Sequence, residues 1–196
     1  MKIPFYTLAI GLIMVGLFFF FGDAPEQFTF YSGVSFKQPW RLITAHFVHS
    51  DAQHLVWNLS AFILLGSIIE QYSKTVLIVS LGIGIVAINT YLLTLYQLDA
   101  YVGLSGVLNT LLVVALFYLC QHELYRSAAI WTLILSMVKI IVESFYGASL
   151  FTSISWLPVP EAHLFGWVAG VLMVIKQTLI YYNSNKYSRY KHLVNA

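Results

Sequence analysis

The sequence predicts an all-α, polytopic membrane protein built from six transmembrane helices. Hydrophobic residues make up 59% of its 196 residues and charged residues only 9%, whereas an ordinary soluble domain is about 25% charged. The apolar residues are also gathered into six runs along the chain. Each run approaches the roughly 20 residues that a helix needs to cross a ~30 Å hydrocarbon core.

Each predicted helix follows from one of these runs. The first begins after Lys2 and ends in four phenylalanines with no small-residue cleavage pattern. It is longer than the usual signal-peptide core of about 7–15 residues, so we expect a retained helix. The second run is short by itself and is extended at its start by His49–His54. We expect one membrane domain over residues 1–196, with helices at about residues 5–21, 54–71, 76–97, 101–120, 128–146 and 162–182 and a basic tail at 183–196.

Lysine and arginine predict the orientation. With both termini in the cytoplasm, the inner side carries Lys2, Lys74, Arg126, Lys176, Lys186, Arg189 and Lys191, and the outer side carries Lys37 and Arg41. This excess satisfies the positive-inside rule. The tail also suits an anionic inner leaflet, although a solvated stop-transfer tail explains it equally simply. The net charge of +2 gives no reason to expect nucleic acid as a partner.

Polar residues from three predicted helices share one depth in this topology. His54 and Asn58 begin the second helix, Ser105 begins the fourth and His163 begins the sixth. All three helices start on the outer side. Polar side chains at that depth are costly unless they face the protein interior or a water-filled cavity. The sequence therefore predicts a single site just below the outer surface.

These side chains suit acyl transfer. A serine hydroxyl is a weak nucleophile that needs a base within about 2.6–3.2 Å, so Ser105 is the candidate nucleophile and His163 the candidate base. His54 and Asn58 are four residues apart and share one helix face. Together with the Ser105 amide they could hold the oxyanion of a tetrahedral intermediate. Glu161 faces elsewhere and no other carboxylate is expected beside His163, so we predict a Ser–His dyad.

Glycines flank this candidate site. Gly103 and Gly106 allow the loop around Ser105 to bend and leave room for a substrate backbone. Gly166 and Gly170 form a Gly-x-x-x-Gly pattern, which permits close helix packing and would bring His163 to Ser105. Taken singly, each feature has a simpler explanation. Gly-x-Ser-Gly could be a plain turn, His54 and Asn58 an interhelical hydrogen-bonded pair, and His163 an interfacial histidine.

Two further groups have alternative explanations. Lys139 and Glu143 lie four apart in the fifth helix. An unpaired charge at mid-bilayer costs roughly 2.5–3.5 kcal/mol, so we expect them to pair with each other rather than with a substrate or gate. His46, His49 and His54, with Asp51 among them, are a conceivable metal site. Their irregular intervals within a loop argue against it, so no metal and no cofactor is expected.

Taken together, the motifs resemble those of the rhomboid intramembrane serine proteases over about residues 40–175. Trp40-Arg41, His49 and His54-x-x-x-Asn58 look like the family's first loop and second helix, with Glu70 at that helix's inner end. Gly103-Leu104-Ser105-Gly106 looks like the nucleophile motif, and Ala162-His163-x-x-Gly166-x-x-x-Gly170 the sixth-helix motif. The resemblance implies a six-helix rhomboid-like bundle. It also implies that Ser105 is the nucleophile, His163 the base, and His54 and Asn58 oxyanion donors, with Arg41 in an ordered first loop partly in the membrane.

One position departs from the family. Rhomboids usually carry an aromatic residue four positions after the serine, stacked on the catalytic histidine, and here that residue is Asn109. Its amide could hydrogen-bond the imidazole instead. By the same resemblance, the fifth helix and the 147–160 loop would form the gate and cap through which a transmembrane protein substrate enters from the bilayer.

The compact form and the residues around Ser105 and His163 look similar to the rhombosortase branch. That branch implies a multi-pass enzyme of the Gram-negative inner membrane, opening to the periplasm. It would remove a C-terminal Gly-Gly, apolar helix and basic tail from secreted proteins, by hydrolysis or transpeptidation. The alternatives are a general rhomboid protease of type I membrane proteins and an inactive client-binding relative. A small transporter or channel would carry polar residues through the whole membrane depth, whereas here they cluster in the outer third, apart from Lys139 and Glu143.

Overall fold

The computed structural model describes residues 3–94, 100–147 and 159–194, and the side chains of these residues up to Ile180. This part of the chain forms seven helices and one two-stranded sheet. The helices are α1 Phe5–Phe21, α2 Arg41–Thr44, α3 Ala52–Tyr72, α4 Lys74–Thr94, α5 Ser105–Cys120, α6 Glu123–Tyr146 and α7 Pro160–Val194; the strands are β1 Phe30–Tyr31 and β2 Ala100–Tyr101, paired antiparallel.

The predicted all-α class is confirmed, and the membrane character with it. Four helices are long and apolar enough to cross a membrane, namely α3, α4, α6 and the Pro160–Ile180 part of α7. The other two apolar helices, α1 and α5, are shorter than 18 residues. The count of six spans therefore stays a prediction.

Helix α5 occupies the centre of the bundle. It packs against α3, α4, α6 and α7, whereas α1 packs against α3 at the periphery. The side chains of Val107, Leu111, Val114 and Ala115 on α5 are completely buried. The helix that begins at Ser105 is thus held on every side, which fixes the position of its first residue.

Several helix ends differ from those predicted. Helix α5 begins at Ser105 rather than near residue 101, because β2 and the turn at Gly103 use residues 100–104 for other contacts. Helix α6 begins at Glu123 rather than 128, and α7 continues to Val194 through the predicted tail. Apolar runs mark where a helix enters the membrane, and a helix can continue in water beyond that boundary. The last three residues of the predicted 76–97 helix and most of the 147–160 loop lie outside the described residues.

The loop between α1 and α3 is organised around Arg41, which is buried. Its guanidinium donates to the carbonyls of Thr29, at 2.7 Å, and Glu26. Its Nε donates to Gln38 Oε1 at 2.6 Å. The neighbouring Trp40 indole donates to the Gln27 carbonyl at 3.1 Å. These bonds tie a segment with little regular structure into one ordered unit.

Glu70 joins α1 to α3. Its carboxylate accepts hydrogen bonds from the Tyr6 amide at 2.9 Å, the Thr7 amide at 2.8 Å and the Thr7 hydroxyl at 2.8 Å. These amides belong to the first turn of α1, where helical N–H groups lack partners within the helix and the helix dipole favours a negative charge. Glu70 therefore caps α1 from the C-terminal end of α3.

Replacing Glu70 with glutamine should destabilise the docking of α1. The isosteric amide removes the negative charge and turns one acceptor into a donor that faces N–H groups, so we expect a loss of about 1–3 kcal/mol. Thermal unfolding in detergent, followed by tryptophan fluorescence, measures the change. Glu123→Gln, in the exposed first turn of α6, is the matched control. A Glu70→Gln protein as stable as this control would contradict the capping role.

Candidate active site

Gly103 shapes the turn that leads into α5. Its φ is +109°, a conformation that residues with a side chain rarely adopt. Its amide donates to the Ala45 carbonyl at 2.8 Å, and its carbonyl accepts from the Tyr101 hydroxyl at 3.1 Å. A Cβ at this position would lie 2.7 Å from His54 Nε2. Only glycine fits at this position, and its lack of a side chain lets the turn before α5 pack closely against the start of α3.

Close contact between α5 and α7 depends on two other glycines. A Cβ on Gly166 would overlap the Gly106 carbonyl, whose carbon would be 2.9 Å away. One turn further, a Cβ on Gly170 would lie 2.7 Å from the Val113 Cβ. The Thr110 hydroxyl donates to the Gly166 carbonyl across this contact at 2.8 Å. The two helices therefore meet backbone to backbone just below Ser105 and His163.

This packing brings Ser105 and His163 together. His163 Nε2 lies 3.0 Å from Ser105 Oγ, although the residues are 58 apart in sequence. The imidazole is only 14% exposed. The distance is that of a hydrogen bond between a nucleophile and its base. The arrangement is chemically able to move the hydroxyl proton onto the imidazole.

The expectation that no carboxylate lies beside His163 is wrong. Glu143, near the end of α6, places Oε2 at 3.5 Å from His163 Nδ1. The same oxygen is 2.7 Å from Lys139 Nζ, which confirms the predicted pairing within the helix. The i,i+4 spacing in sequence indicates the Lys139 partner. It carries no information about the neighbour across the helix interface.

His54 and Asn58 lie beside the turn that precedes Ser105. Asn58 Nδ2 would be 3.5 Å from a Cβ on Gly103, and among the described residues it has no hydrogen-bond partner. His54 Nδ1 is 3.0 Å from the Ser50 hydroxyl, which also lies 3.0 Å from Asp51 Oδ2. In the neutral tautomer that donates from Nε2, His54 Nδ1 carries no proton and can only accept a hydrogen bond. The Ser50 hydroxyl has a single proton, so it can donate either to His54 Nδ1 or to Asp51 Oδ2. Ser50, which the sequence motifs did not single out, therefore bears on the hydrogen-bonding role of His54.

Asn109 does not hydrogen-bond the imidazole. Its Nδ2 donates to the Ser105 carbonyl at 2.9 Å, one turn back on the same helix. A short side-chain amide within a helix can reach the backbone carbonyl four residues earlier. Asn109 therefore supports the first turn of α5, and the family's aromatic contact to the histidine has no equivalent from this residue.

His46 and His49 are buried in the loop before α3. His46 Nε2 lies 3.2 Å from Asn89 Oδ1, and the Asn89 amide donates to the Leu42 carbonyl at 2.7 Å. The His49 ring meets the His54 ring edge to face at 5.1 Å between centroids. Within the described residues, no three His, Cys, Asp or Glu side chains are grouped to hold a metal ion. No motif or spacing in the sequence indicates that Asn89 links this loop to α4.

Burial makes this loop sensitive to acid. Desolvation lowers the pKa of His46 to about 4 and the pKa of His49 to about 3, because the charged imidazolium loses its water. The unfolded chain, with a histidine pKa near 6.5, binds these protons first. The two buried neutral histidines therefore contribute fully to the free energy of unfolding above pH ~6.5, and this contribution is lost as the pH falls towards 4.

We expect the melting temperature to fall between pH 7 and pH 4, and to fall less in His46→Gln. Glutamine can still donate to Asn89 but does not titrate. Thermal unfolding across this pH range compares the two proteins. Identical pH dependence in the wild type and the variant would contradict this role for His46.

A family model of the rhomboid domain matches residues 37–178. The match covers well over half of the chain and includes α2 to α6 and α7 as far as residue 178. It therefore contains Ser105, His163 and Glu143. No curated protein matches the chain.

Proposed function

The chain belongs to the rhomboid family, whose members are intramembrane serine proteases, and we propose that it is an active one with Ser105 as nucleophile and His163 as general base. The observation that carries this proposal is the 3.0 Å contact between Ser105 Oγ and His163 Nε2. Both residues lie in the first turn of their helices, α5 and α7, which pack backbone to backbone. A client-binding relative that has lost activity would not need this contact.

In the proposed reaction, Ser105 Oγ attacks the carbonyl carbon of the scissile bond while its proton passes to His163 Nε2. The tetrahedral intermediate collapses as His163 protonates the leaving amine, which leaves an acyl-enzyme on Ser105. Water, or an amine acceptor in the case of transpeptidation, then attacks the ester. His163 accepts a proton from that nucleophile and returns one to Ser105.

The proposed hydrogen-bond donors to the oxyanion are the Ser105 backbone amide and the side chains of His54 and Asn58. The Ser105 amide is one of the N–H groups that the start of α5 leaves without a partner within the helix, and it lies at the positive end of the helix dipole. His54 Nε2 and the unbonded Asn58 Nδ2 face the Gly103 turn immediately before it. Donors placed in advance around this point would stabilise the negative charge that develops on the oxygen in the transition state.

The proposed architecture is a single rhomboid-like membrane domain over residues 1–196 with six spans and both termini in the cytoplasm. Helix α5 has 16 residues and covers about 24 Å, and the loop before it can supply the remaining depth. The inner excess of lysine and arginine supports this orientation in a bacterial inner membrane. The site then opens towards the periplasmic side.

The proposed substrates are membrane proteins with a C-terminal anchor helix, preceded by Gly-Gly and followed by a basic tail, as in the rhombosortase branch. Their sorting tail would be cut near the outer surface. Glycines unwind easily and have no side chain for the site to accommodate. Gly103 and Gly106 leave no open space for a substrate backbone, because a Cβ on Gly103 would meet His54 and a Cβ on Gly106 would meet Ile88. A general activity on type I membrane proteins is the alternative.

The test is cleavage of a membrane-anchored reporter that carries this tail by the purified protein in liposomes. A second reporter in which Gly-Gly is replaced by Leu-Leu is the matched substrate. Cleavage of the first only supports the sorting-tail substrate, and the mass of the new C-terminus separates hydrolysis from transpeptidation. Cleavage of both reporters supports the general protease. Failure of a folded protein to cleave either reporter, or a type I substrate, would favour the client-binding relative.

A further inference from the structure

Glu143 lies where a third member of a catalytic triad would lie. Its side chain is 1% exposed, whereas that of its ion-pair partner Lys139 is 36% exposed. The carboxylate therefore points inward from α6 onto α7 and the ammonium lies nearer the surface. A pair whose purpose was only to neutralise its own charges would not require the carboxylate to be buried against His163.

The register of α6 on α7 is fixed independently of this pair. The Trp167 indole, one turn along α7 from His163, donates to the Ser136 hydroxyl on α6 at 3.1 Å. This bond and the packing of α6 on α7 hold the end of α6 beside the start of α7. Glu143 thus faces His163 because of the helix interface.

His163 needs an acceptor at Nδ1. To take the Ser105 proton at Nε2, a neutral imidazole must carry its own proton on Nδ1. That nitrogen is buried, and among the described residues it makes no hydrogen bond. Glu143 Oε2, at 3.5 Å, is close enough to become its acceptor after a small movement. Catalytic hydrogen bonds are often long in the resting enzyme and shorten in the substrate complex.

We infer that Glu143 is a positioning residue that holds His163 in the Nδ1–H tautomer and stabilises the imidazolium formed when Ser105 attacks. This inference rests on the proposed function. The Ser105 proton goes to His163 Nε2, the Nδ1 proton stays on the imidazole, and Glu143 accepts a hydrogen bond without being protonated. Lys139 balances the charge of the buried carboxylate. The site is then a Ser105–His163–Glu143 triad.

The test is covalent labelling of the full-length protein in detergent micelles by a fluorophosphonate probe. Ser105 Oγ forms a bond to phosphorus, fluoride leaves, and the hydroxyl proton passes to His163. The decisive variant exchanges the charges, Lys139→Glu with Glu143→Lys, which keeps the ion pair within α6 but moves the carboxylate away from His163. Glu143→Gln keeps the shape and removes the charge, and Glu123→Gln at the far end of α6 is the matched control.

We expect the maximal labelling rate to fall about 10- to 100-fold in the charge exchange and in Glu143→Gln, with the half-saturating probe concentration unchanged. Removing the charge of a triad carboxylate that is fully hydrogen-bonded to its histidine lowers kcat about 10⁴-fold. Because Glu143 lies 3.5 Å from His163 Nδ1, we expect a smaller effect here. Glu123→Gln should label like the wild type. If the folded charge-exchange variant is labelled at the wild-type rate, the inference is overturned.

Two controls complete the experiment. If the charge exchange does not fold, as judged by thermal unfolding, Glu143→Gln decides: labelling at the wild-type rate overturns the inference and a slowed rate supports it. A wild type that does not label at Ser105 would instead reject the proposed function. The failure of the inference and the failure of the proposal on which it rests are therefore distinct results.

Discussion

Replacing Ser105 with alanine is expected to reduce cleavage of a membrane-anchored reporter to background, a loss of at least about 10³-fold in kcat. The hydroxyl is the proposed attacking group, and no second hydroxyl in the described residues is bonded to His163. Alanine fits the space of serine, so the fold should be unaffected. Initial rates of reporter cleavage in liposomes measure the effect.

His163→Ala should cause a similar loss, and the double variant should be no worse than either single one. Nucleophile and base act as a unit, so the removal of both costs little more than the removal of one. Additive losses in the double variant would contradict a shared step. Cleavage by a folded Ser105→Ala protein at more than a few per cent of the wild-type rate would remove Ser105 from the mechanism.

Replacing Gly166 with alanine should disrupt the site without touching any reacting atom. The new Cβ would overlap the Gly106 carbonyl, and this is backbone that cannot rotate away. The helices must separate, at a cost of about 1–3 kcal/mol typical of overpacking. Because a displacement of about 1 Å can cost about 10²-fold in rate, we expect kcat to fall by at least that factor. Reporter cleavage and thermal unfolding measure the two effects.

Gly82→Ala is the matched control for this variant. Gly82 is also a helical glycine, on α4, but a Cβ there meets nothing within 4 Å. Alanine should be neutral or slightly stabilising at that position, because it has the higher helix propensity. A Gly166→Ala protein that matched Gly82→Ala in both rate and stability would show that close contact between α5 and α7 does not position His163.

The sequence predicts the helices where membrane and helix boundaries coincide. Helix α1 is predicted to the residue, because an apolar run lies between Pro4 and Gly22. The start of α5 is misplaced, since a hydropathy pattern does not distinguish the short strand at Ala100–Tyr101 from the first turn of a helix. Helix α7 extends past its apolar part because a helix in water needs no apolar residues.

The residues at the starts of three helices are the part of the candidate site that can be predicted from the sequence. Topology alone brings the starts of three helices to one depth, and this groups Ser105, His163, His54 and Asn58. It does not specify which faces meet. The sequence spacing therefore predicts the pairing of Glu143 with Lys139. It does not predict the contact between Glu143 and His163, because that contact depends on how α6 packs on α7. The bond from Asn109 to the Ser105 carbonyl is a local i,i+4 contact that the spacing could have indicated.

Mass spectrometry of the wild-type protein after treatment with a fluorophosphonate probe tests most directly whether His163 activates Ser105, because it requires no knowledge of the substrate. We expect one adduct, on the peptide that contains Ser105, and its loss in His163→Ala. An adduct on another residue, equal labelling of Ser105 in His163→Ala, or no labelling of the folded wild type would contradict the claim that Ser105 is a nucleophile activated by His163.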